Sequence, residues 1–175
     1  MVEIVLDIVK YILPAIMVVL TTYLMMRQFI QNESKKRYHE LRLESHKETL
    51  NIKLQAYERL TLLVTRMSPP NLLARIQKPN LSAQGLKQQI GQHIKTEFEH
   101  NLTQRMYVSE RVWQAVQAYR SEILKITAQQ LALLDKEAMG ITLVEAILKE
   151  YMQDEELLTA DKVIKLIKLD LKELL

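Results

Sequence analysis

The chain has 175 residues, 48% of them hydrophobic, with only 3 Gly, 4 Pro and 6% aromatics. That is too few turn formers and aromatics for a sheet-rich protein, so helices are expected. The formal charge of +3 comes from cations and anions interleaved along the chain. It forms no one-sided basic surface of the kind that binds a nucleic-acid backbone, and the absence of cysteine excludes disulfides and thiolate metal sites and fits a reducing compartment.

The first element is apolar. YILPAIMVVLTTYLMM, residues 11–26, has no charge, and extended to residues 8–30 the run holds only Lys10 and Arg27, near its ends, where long side chains can snorkel. As a helix those residues rise about 34 Å, enough for a hydrocarbon core of about 30 Å. Its apolar residues surround the helix and form no stripe, which favours a membrane span over a core helix. Glu3 and Asp7 precede it and no small-x-small site follows, so a cleaved signal peptide is not expected. Arg27, Lys35, Lys36, Arg37 and Arg42 follow the run, against Lys10 before it, which predicts an outside N-terminus and a cytoplasmic remainder. Pro14 either kinks the span or marks its first turn.

The expected layout is all-α: a single N-terminal transmembrane helix in 1–31, a charged helical stalk in 32–48, and a bundle of four to five helices in 49–175. The stalk, NESKKRYHELRLESHKE, offers Glu40 and Glu44 to Arg37, Lys36 and Lys47 for pairs one turn apart. Beyond it, Leu50, Leu54, Tyr57, Leu60, Val64 and Met67 recur at three- and four-residue steps, until Pro69 and Pro70 stop the helix. A short LLARI piece follows. Ser82 then caps a helix expected to run to about Met106 through Leu86, Ile90, Ile94, Phe98 and Leu102. Tyr107, Val108 and Ser109 turn the chain, and Ser109 caps the next helix. Its seam is Val112, Val116, Tyr119, Ile123, Ile126, Gln130 and Leu133, widened by Trp113 and Leu124 toward bundle packing and away from a coiled coil. Gly140 closes that region. Thr142 and Glu145 have the spacing of a capping box, and Thr159 or Asp161 starts the last helix. That helix sets Ile164, Ile167, Leu171 and Leu174 on one face, for the bundle, and lysines on the other. The lysines could meet anionic headgroups, but Asp161, Asp170 and Glu173 dilute their field and favour a solvated face.

The candidate site lies at His93, Glu97 and His100, which share an arc of about 60° on a helix. Glu97 and His100 have the Glu-x-x-His spacing of carboxylate-bridged di-iron bundles, but no second copy exists. His93 and His100 are about 10 Å apart along the axis, too far for one ion. The preferred reading is a half-buried structural polar cluster of Glu97, His100, Asn101, Gln104 and Tyr107, with Glu97 and His100 as the weak metal candidates. Nothing resembles a catalytic constellation. Ser109 has no acid–base partner, Gly85, Gly91 and Gly140 are isolated, and Asp154, Glu155 and Glu156 form an acidic surface run. Neither an enzyme, a cofactor, a small-molecule substrate nor a nucleic acid is called for.

Two stretches, LQAYERLTLLVTRMSPPNLLARI at 54–76 and TEFEHNLTQRMYVSERVWQAV at 96–116, resemble a family of uncharacterised small bacterial membrane proteins with one N-terminal span and a helical cytoplasmic domain. The resemblance implies that layout and a bacterial inner membrane, and carries no activity or ligand residues. The expected role is a membrane-anchored scaffold or accessory subunit whose partners are the bilayer and other membrane proteins or itself. A peripheral-stalk-like subunit is the alternative, weakened by the Pro-Pro break; a metal-binding helical protein is a third.

Overall fold

The computed structural model describes residues 2–154 and 156–174, and the side chains of these except at 2–11, 13 and 15. Among the described residues the protein is all-helical, with six α-helices and no strand. The chain divides into two units, Met1–Leu50 and Asn51–Leu175.

Helix α1, Val2–Met67, supplies the first unit from Val2 onward. Pro14 lies inside this helix, not in its first turn. Thr21 and Thr22 donate their hydroxyls to the carbonyls of Met17 and Val18 at 2.6 and 2.8 Å, which occupies the polar groups of an otherwise apolar run. In the charged part, among the described residues, Arg37 pairs with Glu33 at 3.3 Å and Lys36 with Glu40 at 4.0 Å. Among the described residues no helix is long and apolar enough to cross a membrane. The expected span, 8–30, takes in side chains at 8–11, 13 and 15 that lie outside the described residues.

The second unit has one core, drawn from every helix. The end of α1 contributes Tyr57, Leu60, Leu63, Val64 and Met67. Helix α2, Pro69–Ile76, begins on the two prolines that end α1, because the first turn of a helix needs no backbone donor and proline is preset for it. Among the described residues the bundle therefore has six α-helical segments, counting the end of α1, against the four to five expected. Ser82 caps α3, Ala83–His100, accepting from the Gly85 amide at 3.1 Å, and Leu86, Ile90, Ile94 and Phe98 are buried as the spacing predicts. Ser109 likewise caps α4, Glu110–Ala132, through the Val112 amide. Phe98 and Trp113 meet with ring centroids 5.2 Å apart, and the Arg120 guanidinium lies over the Phe98 ring, 4.5 Å from its centroid.

Three boundaries differ from expectation. Helix α3 ends at His100, and Leu102–Met106 tightens into a 3₁₀ helix, leaving Leu102 half exposed. The seam of α4 is buried from Val112 to Ile126, but Leu133 is 79% exposed because the helix stops at Ala132; Thr127 is buried instead, its hydroxyl bonded to the Ile123 carbonyl. Thr142 caps nothing, since α5, Gly140–Gln153, already starts at Gly140. A two-bond clamp sets that start: Ala83 donates to the Ala138 carbonyl at 2.9 Å and Gly140 to the Leu81 carbonyl at 2.7 Å. A Cβ on Gly140 would meet that Leu81 oxygen at 2.8 Å, so only glycine admits the approach. Helix α6, Ala160–Leu174, packs on α4 through Val163 and Ile167.

Candidate functional site

A buried polar group of the second unit lies on the apolar face of α6. Val163, Ile167 and Asp170 follow one another at steps of four and three, which carries Asp170 into the interior, 7% exposed. A carboxylate there needs partners. The Tyr57 hydroxyl, from α1, donates to Asp170 Oδ2 at 2.5 Å. Arg111 Nη2, from the first turn of α4, donates to Oδ1 at 2.9 Å and to Glu173 Oε2 at 3.2 Å. Tyr57 and Asp170 line a depression together with Lys53, Tyr107, Ser109, Glu173 and the apolar Met106, Val108 and Leu174.

The electrostatics follow from this geometry. Burial works to raise the Asp170 carboxyl, but hydrogen bonds from Tyr57, Ser109 and Arg111, with the Arg111 charge, outweigh it and leave the pKa lowered. Burial first, and then donation to that carboxylate, pushes the Tyr57 phenol up to about 12. Asp170 therefore stays ionised with both oxygens engaged, and Tyr57 stays protonated. Neither is poised to move a proton or attack a substrate. What the group does is fasten α1, α4 and α6 through one buried charge.

Sequence reasoning missed this group. It counted Asp170 among the residues thinning the lysine field, and Tyr57 as one more apolar position. The signal was present: Asp170 occupies a seam position between Ile167 and Leu174 on an otherwise apolar face.

The expected polar cluster is divided by the structure. Glu97, 19% exposed at its side chain, lies 3.5 Å from Arg66 Nη1 and 3.6 Å from Arg75 Nη1. Arg75 is itself held by the carbonyls of Arg66 and Asn71 at 2.7 and 3.2 Å. Asn101 Nδ2 donates to the Glu97 carbonyl at 2.8 Å. Gln104 is buried, its amide reaching Thr103 Oγ1 at 3.4 Å. His100 and Tyr107 are exposed, contrary to the half-buried position expected for the cluster, and His93 is exposed as well. The cause is the helix end: α3 stops at His100, and the 3₁₀ turn rotates Gln104 inward and sends Tyr107 to the Asp170 depression. No group of three or more His, Cys, Asp or Glu side chains is placed to hold a metal among the described residues. The Glu97 carboxylate faces two guanidiniums, an arrangement that joins α1, α2 and α3.

A third contact secures the start of α6. The Ala160 amide donates to the Tyr151 hydroxyl at 2.9 Å, and that hydroxyl lies 3.3 Å from the hydroxyl of Tyr119. Burial and this neighbour raise the Tyr119 phenol far above its ordinary range.

The chain matches a family described as a family of unknown function, DUF7935, over residues 3–174, and it belongs to that family. No curated protein and no solved structure matches it.

Proposed function

We propose that this member of the DUF7935 family is a non-enzymatic scaffold or accessory subunit, anchored by residues 8–30 in a bacterial inner membrane and organising a larger complex there. The observation that carries the reading is the surface of α1. Every large apolar side chain described between Ile12 and Ile30 is 50% to 69% exposed, on all sides of the helix. A contiguous apolar surface of that extent needs an apolar environment. Taken over residues 8–30, with Lys10 and Arg27 near its ends as its only charges, the sequence reaches spanning length. The basic residues after it orient the second unit to the cytoplasm. A binding role more than a chemical one is supported by the two charged clusters of that unit, at Asp170 and Glu97, which are engaged in fastening helices to one another. A peripheral-stalk-like subunit is the second reading, favoured by the unbroken, mostly exposed helical run over 32–50.

Cell fractionation followed by crosslinking in native membranes tests the proposal. The expected result is a carbonate-resistant membrane protein crosslinked to other membrane proteins. Recovery of the intact chain in the supernatant, without detergent, would remove the anchor and the scaffold together.

A further inference from the structure

Between residues 33 and 48, helix α1 sorts its charges by side. At 100° per residue, Glu33, Glu40, Glu44 and Glu48 fall within an arc of about 80°. Lys35, His39, Arg42 and His46 fall within about 60° on the opposite side, at steps of four, three and four. The acidic side also carries Lys36, Arg37 and Lys47 and is closed by pairs within it, Arg37 with Glu33 and Lys36 with Glu40. The opposite stripe contains no carboxylate. Among the described residues, no ion pair or hydrogen bond reaches the side chain of Lys35 or Arg42. All four stripe residues are exposed, and His39, Arg42 and His46 line a shallow depression with Leu43, Ser45 and Thr49.

We propose that this stripe docks an acidic helical segment of a partner protein, laid along α1 with carboxylates at matching heptad steps. The inference rests on the anchor reading and names the partner chemistry for it. Two other occupants fit less well. Lys35 to His46 extends about 17 Å along the axis, whereas the headgroup layer beyond a hydrocarbon core is only about 5–8 Å deep. A span ending at Ile30 puts Arg42 and His46 about 18 and 24 Å past its end, beyond the reach of lipid phosphates. A second copy, presenting its own acidic side, would bring Lys36, Arg37 and Lys47 against Lys35 and Arg42. Like charges would then meet along the contact.

The test uses the full chain in nanodiscs of uncharged phosphatidylcholine, at about 0.15 M salt so that diffuse attraction is screened. The probe is a fluorescent three-heptad helical peptide with Glu at every a and d position. Incorporation into the nanodisc is read first; a chain that stays outside sinks the anchor reading and this inference with it. The expected result is saturable binding of the peptide, weakened about tenfold or more by Lys35→Glu with Arg42→Glu. Lys36→Glu with Lys47→Glu makes the same charge change on the other side and is expected to alter binding less than about twofold. Circular dichroism checks that each variant keeps its helix. An incorporated chain that shows no saturable binding, or equal weakening in both variants, overturns the inference alone. So does stripe-dependent flotation with phosphatidylglycerol vesicles in the absence of peptide binding, which assigns the stripe to lipid headgroups.

Discussion

Replacing Tyr57 with Phe removes one hydroxyl and leaves the buried ring in place. Asp170 then keeps Arg111 and Ser109 but loses the Tyr57 hydroxyl at Oδ2. A hydrogen bond to a charged group contributes about 1.5–3 kcal/mol. The rise of the phenol from 10.0 to about 12, with burial as its first cause and the bond to Asp170 as its second, agrees with a coupling of that order. We expect a loss of about 2 kcal/mol at neutral pH. With a urea slope of about 2 kcal/mol per molar, the midpoint falls by about 1 M. Trp113 is the only tryptophan and is 1% exposed in the second unit, so its fluorescence reports unfolding of that unit without contribution from the apolar run. The signature that separates the hydrogen bond from packing is its pH dependence. Once Asp170 is protonated the bond is neutral and the loss should shrink to about 1 kcal/mol or less. A midpoint that does not move at neutral pH, or a loss of equal size below the Asp170 titration, would refute the reasoning.

The remaining expectations concern the same unit. Gly140→Ala forces the α5 start away from the Leu81 carbonyl and should cost about 1–3 kcal/mol by urea unfolding, whereas Gly91→Ala, with open space around it, should not destabilise. The wild-type protein should lose stability at both pH extremes. Asp170 has a lowered folded pKa, so its contribution is full above the ordinary carboxyl value of 3.8 and disappears as pH falls through the lowered one. Tyr57 has a raised folded pKa, so its contribution is full below 10.0 and disappears as pH rises through about 12. Trp113 fluorescence against pH for wild type and Tyr57→Phe checks both limbs; an alkaline limb identical in the two proteins would exclude Tyr57 as its source.

How much of this was legible in the chain can be argued from particular residues. The apolar steps of Leu86, Ile90, Ile94 and Phe98, and of Val112 through Ile126, are local periodicities, and a helix turns them into a buried face wherever it packs. Ser82 and Ser109 cap their helices because each hydroxyl reaches a backbone amide three residues on, a contact that needs no distant partner. The opposed charges of residues 33–48 are of the same kind. Helix ends were less legible. His100, Leu133 and Gly140 depend on what meets the backbone there, and the Leu81 carbonyl that selects Gly140 lies fifty-nine residues earlier in the chain.

The sequence by itself thus determined an all-helical protein and most of the faces its helices bury, because spacing and capping act within a few residues. Only the tertiary structure decided that Tyr57, Arg111 and Asp170 share one buried charge, and that Glu97 faces Arg66 and Arg75 and leaves His100 to solvent. Those partners come from different helices, and Tyr57 and Asp170 are separated by 113 positions. The seam position of Asp170 hints at burial, but the donors that keep it charged come only when its helix is packed against α1 and α4.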